Sequence, residues 1–481
     1  MQKITDDNLF QRLAFDNPWW SFGAETEIKF RHPPQRVFFP SFFTRVMKSG
    51  AGEILVLAGP LRAGKTVMLR QLVAQLIEKG VPPASVFYCS LTTPSYTVAD
   101  LKRLVDIFID RNGHAPDSEI HVFFDEVQYA GDWEKTMLAL AEAYPQGRFI
   151  GAVSSGAPAI TTGGKSSDGR VSVFVLPPLT FLEFLRFRNT EETLFGADAK
   201  KAGAPMAVST GALDALNIEF HRYVNFGGFL EGVLAKAEGA PAPAFIRDGI
   251  ADRVLHKDLA SLSGIHDARE LNRLFGMLAL NTAREVTIED LAKAAGVAKN
   301  TLRKYLDYLE RAFLIRRLPR VDRSAKRFQR AVAFKVYLTS PCLYAALFGP
   351  VPPGHEAFPR LAETALVSQW LGSETVANLA YASWRGGGID LLSLGPDDDK
   401  PDHVYEIDWA DAHATAGQGK GPGRLAGFAQ ETNPKARAYV LTCSKAGSGT
   451  MDGTEITLAP LSLYAYWLDR DPTLRNFHSV E

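Results

Sequence analysis

A glycine-rich stretch stands between an apolar run and a helical stretch. Residues 54–57, Ile-Leu-Val-Leu, favour a buried strand, and a helical pattern begins at Val67. Between them lies Gly59-Pro60-Leu61-Arg62-Ala63-Gly64-Lys65-Thr66. This spacing is that of a Walker A loop, whose main-chain N–H groups surround a phosphate at the N-terminus of a helix. Lys65 would contact the β- and γ-phosphates of a nucleotide, and the Thr66 hydroxyl would bind Mg²⁺. Residues 59–67 therefore form the predicted nucleotide site.

Two acidic residues end a second apolar run. Residues 120–124, Ile-His-Val-Phe-Phe, precede Asp125-Glu126, which is the form of a Walker B strand. Asp125 would hold the coordination shell of Mg²⁺, and Glu126 would orient or deprotonate the attacking water. Glu126 favours hydrolysis of ATP over phosphoryl transfer to a metabolite, because a kinase does not need a carboxylate there. The alternative is an ordinary buried strand that ends in a solvated acidic turn.

The composition is that of an ordinary soluble protein. Of the 481 residues, 46% are hydrophobic and 22% are charged, and the length allows two or three domains. With 53 Lys and Arg against 54 Asp and Glu, only a local patch could attract nucleic acid. The N-terminus lacks the features of a signal peptide, and no apolar run is long enough to span a bilayer. We therefore expect a cytoplasmic protein without a membrane partner. Cys89, Cys342 and Cys443 lack the spacing of metal ligands.

The hydrophobic pattern changes along the chain. After about residue 41, amphipathic helical stretches alternate with five apolar runs, at 54–58, 86–91, 121–124, 149–153 and 171–176. This alternation predicts a mostly parallel sheet with the phosphate site at the C-terminal edge of its strands. Helical periodicity follows, and short strands and helices return after residue 330. We therefore predict an N-terminal extension (1–40), a P-loop ATPase domain (41–195), a helical domain with a helix-turn-helix (213–335) and a C-terminal α/β domain (336–481).

Residues 287–306 have the pattern of a helix-turn-helix. Apolar residues recur at the inward positions of two helices, and Gly296 stands at the sharp turn between them. The outward face of the second helix carries residues that suit phosphates and base edges, namely Lys299, Asn300, Thr301, Arg303 and Lys304. These residues predict contacts with double-stranded DNA.

A basic run follows the second helix and would lie in or beside a β-wing. It consists of Arg316, Arg317, Arg320, Arg323, Lys326, Arg327 and Arg330, and Asp322 is the only acid within it. Arg316 and Arg317 are predicted to contact DNA phosphates. The alternative is that the winged helix docks a protein or acts as an inert lid, because charged helix faces are often merely solvated.

The chain as a whole resembles a family of prokaryotic AAA+-type ATPases. Besides the Walker A loop, the resemblance rests on Asn17-Pro18-Trp19-Trp20 followed by Phe30-Arg31-His32, on Asp125-Glu126-Val127-Gln128-Tyr129, and on Asp132-Trp133-Glu134. It implies an α/β fold with a P-loop NTPase (AAA+-like) parallel-sheet domain, then a helical and winged-helix domain, then a C-terminal α/β domain of the PD-(D/E)xK nuclease type. AAA+ proteins usually assemble as rings, often hexamers, so the resemblance also implies a homo-oligomer.

Three further residues take roles from this resemblance. Ser154 or Ser155 would act as a sensor that contacts the γ-phosphate or the attacking water. Arg170 matches a Gly-Arg pair of the family and would stabilise charge on the transferred phosphoryl group, acting from a neighbouring subunit if the protein forms a ring. A surface arginine that caps a strand is the alternative for Arg170.

The resemblance weakens in the C-terminal third. In nuclease-like relatives, carboxylates bind Mg²⁺ beside a lysine, and Glu363, Asp390 and Glu406 align with those carboxylates. The lysine does not align, because Asp408 stands where that cation belongs, and Ile389 replaces an acid. We therefore expect a degenerate nuclease fold that binds DNA, protein or a neighbouring subunit.

Three functions remain open from the sequence. The leading one is an ATP-hydrolysing motor or switch whose nucleotide state is coupled to DNA binding. The second is a slow, nucleotide-gated switch that binds a protein partner. The third is an ATP-dependent metal nuclease.

Overall fold

The contacts of the chain divide it into two units. The computed structural model describes residues 4–23, 34–50, 52–96, 99–155, 169–196, 209–234, 246–251, 268–328, 332–373, 378–395, 400–412 and 420–470. Unit 1 comprises residues 1–176 and unit 2 comprises residues 177–481. This division differs from the predicted end of the P-loop domain at residue 195, because the helix that begins at Phe181 packs on helices of unit 2. The motif Phe30-Arg31-His32 and the basic residue Arg330 lie outside the described residues.

Unit 1 alternates strands and helices. Its helices are α1 (Asp6–Asp16), α2 (Trp19–Phe22), α3 (Phe39–Lys48), α4 (Lys65–Glu78), α5 (Leu101–Asn112) and α6 (Trp133–Ala143). Its strands are β1 (Ile54–Ala58), β2 (Val86–Ser90), β3 (His121–Asp125), β4 (Arg148–Val153) and β5 (Val171–Val175). Each of the five predicted apolar runs coincides with one of these strands, to within one residue at either end.

The five strands form one sheet in the order β2-β3-β4-β1-β5, and every neighbouring pair is parallel. The predicted parallel sheet is therefore confirmed. Every residue of β1 and of β3 is buried, as expected for strands inside a sheet that helices cover. Phe42 of α3 and Val73 of α4 join Leu55 and Leu57 of β1 in one apolar core. Because all strands run the same way, the loops after β1, β3 and β4 meet at one edge of the sheet.

The N-terminal helices are part of unit 1. The indole N–H groups of Trp19 and Trp20 both donate to the carbonyl oxygen of Val86, at 2.9 and 2.8 Å. Since β2 is an edge strand, these bonds satisfy a main-chain group that its strand neighbour does not reach. Trp20 also stacks on Phe108 of α5, with ring centroids 5.5 Å apart. The predicted separate extension, residues 1–40, thus includes helices that complete the fold of unit 1.

Unit 2 begins with helices and continues with a mixed arrangement. Its helices are α7 (Phe181–Phe187), α8 (Glu191–Phe195), α9 (Thr210–Phe226), α10 (Leu230–Leu234), α11 (Ala268–Leu280), α12 (Ile288–Ala295), α13 (Lys299–Arg311), α14 (Cys342–Phe348), α15 (Phe358–Trp370), α16 (Lys420–Thr432) and α17 (Leu461–Trp467). Its strands are β6 (Arg284–Thr287), β7 (Ile315–Val321), β8 (Ala333–Leu338), β9 (Leu379–Trp384), β10 (Gly387–Leu394), β11 (Pro401–Asp408), β12 (Arg437–Thr442), β13 (Gly447–Met451) and β14 (Thr454–Pro460).

The strands of unit 2 form one sheet in the order β13-β14-β12-β11-β10-β9-β7-β8-β6. β8 pairs antiparallel with β6 and β7, and β7 pairs in parallel with β9 through Arg320–Tyr381 and Val321–Ala382. The predicted boundary between residues 335 and 336 falls inside β8. The two domains predicted for this part of the chain therefore share a sheet. Among the helices in the described ranges, none has both the length and the apolar character that a bilayer span requires.

Candidate active site

The loop between β1 and α4 turns sharply. Gly64 adopts φ = +95° and caps the N-terminus of α4, whose first residue is Lys65. Arg62 adopts φ = +65°, which is uncommon for a residue with a Cβ atom. Glycine is required at position 59, because a Cβ atom there would lie 2.2 Å from the carbonyl oxygen of Leu176. The predicted Walker A loop thus leads directly into a helix N-terminus, which favours the binding of phosphate.

The ammonium group of Lys65 lies along this loop. Its Nζ donates to the carbonyl oxygens of Gly59 and Pro60, at 3.0 and 2.9 Å, and the side chain is buried. A buried cation beside a helix N-terminus creates a positive potential that attracts an anion. The structure therefore gathers residues 59–67 into one loop and helix start with the charge that a nucleotide phosphate needs.

Asp125, at the C-terminal end of β3, lies beside this helix start. Its Oδ2 accepts hydrogen bonds from the Thr66 hydroxyl at 2.7 Å and from the Tyr88 hydroxyl at 2.9 Å. Its Oδ1 is buried and has no hydrogen-bond partner among the described residues. Burial raises the pKa of the Asp125 carboxyl, and the neighbouring charge of Glu126 raises it further. An orphaned carboxylate oxygen beside a threonine hydroxyl fits Mg²⁺, which prefers oxygen ligands.

Glu126 is held in a strained conformation next to Asp125. It adopts φ = +54°, in the left-handed region that residues with a Cβ atom rarely occupy. One of its carboxylate oxygens accepts a hydrogen bond from the Ser154 hydroxyl at 2.6 Å, and the other accepts one from the Gln128 amide. Ser154 directly follows β4, which lies between β1 and β3, so the sheet order brings this serine to Glu126. The Ser155 hydroxyl is buried and has no hydrogen-bond partner among the described residues.

Two residues of this site were not predicted from the sequence. Gln128 stands in the Asp125–Tyr129 motif, so its position was available as a signal, but no role followed from it. Tyr88 lies inside the apolar run of β2, where nothing in the sequence distinguishes it from a core residue. Its contact with Asp125 depends on the pairing of β2 with β3, in which Tyr88 lies opposite Phe123.

Arg170 lies away from the phosphate loop of its own chain. Its carbonyl oxygen accepts a hydrogen bond from the N–H of Ile54, the first residue of β1, whereas the loop follows the last residue of that strand. A five-residue strand separates these positions by about 17 Å, at roughly 3.3 Å per residue. The Arg170 guanidinium pairs with Glu142 at 2.5 Å. The structure therefore does not bring Arg170 to the phosphate loop of its own chain, and the role toward a neighbouring subunit stays a prediction.

The predicted helix-turn-helix corresponds to α12 and α13. Gly296 ends α12 at φ = +72°, as expected for the sharp turn. Of the five predicted DNA contacts on α13, Thr301 is half-buried and four are exposed, namely Lys299, Asn300, Arg303 and Lys304. Lys299 lies 3.6 Å from Glu289, and Arg303 donates to the Asn300 side chain at 3.2 Å. The structure thus places four polar or basic side chains on the exposed face of one helix.

Several arginines of the basic run after α13 pair with carboxylates of unit 2. Arg317 pairs with Glu310 at 2.6 Å and with Asp307 at 2.8 Å, and Arg316 lies 3.7 Å from Glu310. Further along, Arg323 pairs with Glu431 at 2.5 Å. The expectation that Asp322 alone opposes these arginines is therefore wrong, because carboxylates from the helices α13 and α16 fold onto the run. Arg316 and Arg317 lie on β7, where they stand opposite Tyr337 and Val336 of the antiparallel strand β8.

The three carboxylates of the nuclease-like alignment lie on α15, β10 and β11. Lys335 of β8 donates to Glu363 Oε1 at 3.0 Å and lies 3.7 Å from Asp390 Oδ1. The Tyr337 hydroxyl donates to the same Glu363 oxygen at 2.5 Å. Burial lowers the pKa of Lys335, but the charges of Glu363 and Asp390 outweigh it and raise the pKa above its ordinary value. A lysine from another strand thus lies between two of the three carboxylates.

Glu406 has a separate cation. Its Oε1 accepts a hydrogen bond from Arg424 at 2.6 Å, while Asp390 Oδ2 accepts one from the N–H of Ile407 at 2.9 Å. In the part of the chain that the structure describes, no three His, Cys, Asp or Glu side chains are grouped to hold a metal ion. Lys335 and Arg424 are cations of the chain itself, and between them they contact all three carboxylates. Burial raises the pKa of Glu406 to about 7, and the charge of Asp390 adds to this effect.

Two parts of the chain match known family models. Residues 51–185 match a model described as an AAA domain, and residues 217–352 match one described as a domain of unknown function, DUF8612. The chain is similar to AAA-type P-loop proteins over the first of these ranges. That range contains the loop after β1, both acids after β3 and the serines after β4, so the match supports a P-loop domain of the AAA type at the candidate active site.

Three curated relatives of the chain are described as uncharacterized proteins. A protein of Haemophilus influenzae is 25% identical over 291 residues, which cover 58% of this chain and 66% of that protein. Proteins of Mycobacterium bovis and Mycobacterium tuberculosis are 25% identical over 298 residues, which cover 62% of this chain and 56% of theirs. The chain therefore spans less than two thirds of the length of these relatives.

Solved structures resemble the chain only distantly. AMPPCP-bound DnaA from Aquifex aeolicus is 12% identical, with a TM-score of 0.26, over 56% of this chain and 85% of that one. PCH-2 from C. elegans is 11% identical, with a TM-score of 0.22, over 63% of this chain and 72% of that one. Neither likeness is close enough to support a statement about this chain.

The raised pKa of Glu406 predicts a pH dependence of stability. The folded state binds this proton more tightly than the unfolded state, whose pKa is near 4.5, so the stabilisation is complete below that value and is lost as pH rises through about 7. Glu406→Gln is neutral at every pH, so this variant should lose less stability than the wild type as pH rises. The free energy of unfolding is measured by urea titration at about pH 5 and pH 7.5. Its decrease between these two pH values should be smaller in Glu406→Gln than in the wild type, by on the order of 2 kcal/mol.

Glu455→Gln is the control for this measurement, because Glu455 is exposed on β14. The control should keep the pH dependence of the wild type. If the free energy of unfolding decreases equally between about pH 5 and pH 7.5 in all three proteins, Glu406 does not titrate in this pH range.

Proposed function

We propose that the chain binds ATP with Mg²⁺ at the loop of residues 59–66 and hydrolyses it. The observation that carries this proposal is the pair Asp125 and Glu126 at the end of β3. Asp125 presents a buried carboxylate oxygen without a hydrogen-bond partner among the described residues, and Glu126 is fixed by Ser154 and Gln128. An ordinary acidic turn would be solvated and would not need this support.

The residues of the site would have separate roles in hydrolysis. The main-chain N–H groups of the loop and the Lys65 ammonium would neutralise charge on the phosphates. Glu126 would accept a proton from the attacking water, while the hydrogen bond from Ser154 keeps its carboxylate in place. Mg²⁺, held by the Thr66 hydroxyl and Asp125, would supply further neutralisation of the β- and γ-phosphate oxygens.

We also propose that unit 2 binds double-stranded DNA through a winged helix. The order α11-β6-α12-α13-β7-β8, with β8 paired to β6 and β7, supports this assignment. The exposed residues Lys299, Arg303 and Lys304 on α13 would contact phosphates, while Asn300 is suited to a base edge. The neutralised arginines of β7 would contribute little to DNA binding. Binding of a protein at the same face is the alternative.

Coupling between the two activities is part of this proposal. Duplex DNA would stimulate ATP hydrolysis if the chain is a DNA-dependent motor or switch, whereas turnover indifferent to DNA favours a nucleotide-gated protein-interaction switch. Assembly into a ring, with Arg170 reaching the nucleotide of a neighbouring subunit, extends the proposal and rests on the family resemblance. The position of Arg170 away from its own phosphate loop is compatible with that role.

The general base can be tested by Glu126→Gln, which keeps the shape of the side chain but cannot accept the proton. We expect the steady-state rate of phosphate release to fall by about 100-fold or more, as for loss of a general base, with nucleotide affinity nearly unchanged. The control is Glu119→Gln, since Glu119 is an exposed acid that pairs with Arg148, the first residue of β4. Undiminished turnover in the Glu126 variant would exclude it as the base.

The DNA contacts can be tested with two matched arginines. Arg303→Gln removes an exposed cation of α13, whereas Arg323→Gln removes one already paired with Glu431. Loss of one phosphate contact should reduce the slope of log K against log salt concentration by about 0.9, equally for all duplex sequences. We expect this change for Arg303→Gln and not for Arg323→Gln, measured by fluorescence anisotropy with a labelled duplex. Equal slopes in the wild type and the Arg303 variant would show that Arg303 does not contact a phosphate.

A further inference from the structure

The sequence motif at residues 17–20 lies against the edge strand of unit 1. The Asn17 side-chain amide donates to the carbonyl oxygen of Tyr88 at 2.8 Å, and its oxygen accepts from the Tyr88 N–H at 2.6 Å. Asn17 therefore pairs with Tyr88 as a neighbouring strand would, through both main-chain groups of one residue. Trp19 and Trp20 bond to Val86, two residues earlier on the same strand. Together these bonds fix the main chain of β2 at the residue that carries the Tyr88 side chain.

The ring of Tyr88 is held from a second direction. The Arg70 guanidinium, on α4, lies 3.6 Å from the centroid of this ring. The same guanidinium donates to the carbonyl oxygen of Asp16 at 3.1 Å, so it also links α4 to the residue that precedes the N-terminal motif. Tyr88 is almost fully buried, and its hydroxyl ends at Asp125 Oδ2.

The position of this hydroxyl decides how the Asp125 carboxylate can turn. Tyr88 and Thr66 both donate to Oδ2, from β2 and from α4, and this arrangement leaves Oδ1 as the carboxylate oxygen without a hydrogen-bond partner among the described residues. A Thr66 hydroxyl that binds Mg²⁺ directs its lone pair to the metal, but it can still donate its proton to Asp125. The Tyr88 hydroxyl, by contrast, would bind only Asp125 and not the metal.

We propose that Tyr88 is a positioning residue for the metal site, and that the Asn-Pro-Trp-Trp motif at residues 17–20 serves to hold Tyr88. Tyr88 touches neither nucleotide nor metal. It acts through Asp125, by fixing the orientation in which this carboxylate meets Mg²⁺. The inference rests on the proposed function of the site and adds to it the N-terminal motif, which the hydrolysis mechanism leaves without a role.

The test is Tyr88→Phe, which removes the hydroxyl and keeps the ring under Arg70. Equilibrium binding of a non-hydrolysable ATP analogue is measured by calorimetry, first in EDTA and then over a series of Mg²⁺ concentrations. Loss of a hydrogen-bond partner of a metal-binding carboxylate typically weakens metal affinity by about tenfold or more. The Mg²⁺ concentration at which the enhancement of analogue binding is half-maximal should therefore rise by that factor. Binding in EDTA should stay within about twofold of the wild type, because the phosphate loop is unchanged.

Tyr96→Phe is the matched control. Tyr96 is also fully buried in unit 1, and its hydroxyl donates to a carboxylate, Asp16 Oδ2, at 2.7 Å. A general effect of removing a buried hydroxyl would therefore alter both variants, as would be seen in their thermal midpoints. We expect the Mg²⁺ dependence to shift in Tyr88→Phe and to stay at the wild-type value in Tyr96→Phe.

The outcomes separate this inference from the proposed function. A wild-type Mg²⁺ dependence in Tyr88→Phe, or an equal shift in both variants, overturns the positioning role while leaving the ATP site intact. Binding that weakens equally with and without Mg²⁺ in Tyr88→Phe also overturns it, because that is the signature of a structural residue. If the folded wild-type protein takes up no analogue at any Mg²⁺ concentration, the proposed function itself fails.

Discussion

The buried carboxylate of Asp125 imposes the strongest physical constraint on unit 1. Removing a charged carboxylate from water is costly unless hydrogen bonds or a cation compensate it. Thr66 and Tyr88 compensate one oxygen, while burial and the charge of Glu126 still raise the pKa of the group. A magnesium ion at the other oxygen would remove the remaining cost. Three elements contribute to this arrangement: Asp125 ends β3, Thr66 lies on α4, and Tyr88 lies on β2.

The sheet order determines how the remaining groups reach this carboxylate. Parallel strands end at a common edge, so loops that are distant in sequence become neighbours there. The insertion of β4 between β1 and β3 brings Ser154 to Glu126 rather than to the far side of the sheet. Glu126 adopts a left-handed backbone conformation, at a conformational cost that residues at functional sites often carry. The hydrogen bonds from Ser154 and Gln128 hold it in that conformation.

The sequence predicted those features that depend on neighbouring residues. The loop of residues 59–66, the five strands of unit 1 and the turn at Gly296 follow from local spacing and residue type, and the structure has each of them. Pairings between distant residues were not predictable in this way. Arg323 pairs with Glu431, which lies 108 residues further along the chain. Lys335 of β8 pairs with Glu363 of α15. Neither pairing has a signal in the sequence around the residues involved. The short pairing of β7 with β9, which joins two predicted domains, has no sequence signal of its own.

The central claim is that the loop after β1 and the acids after β3 form one Mg²⁺-dependent ATP site. Calorimetric titration of ATP into the full chain, with MgCl₂ and then with EDTA, tests it most directly, and Lys65→Ala serves as the comparison. The account predicts one bound ATP per chain, weaker binding in EDTA, and no measurable uptake by the Lys65 variant. Absence of ATP uptake by folded wild-type protein in MgCl₂, or equal uptake by the Lys65 variant, would contradict it.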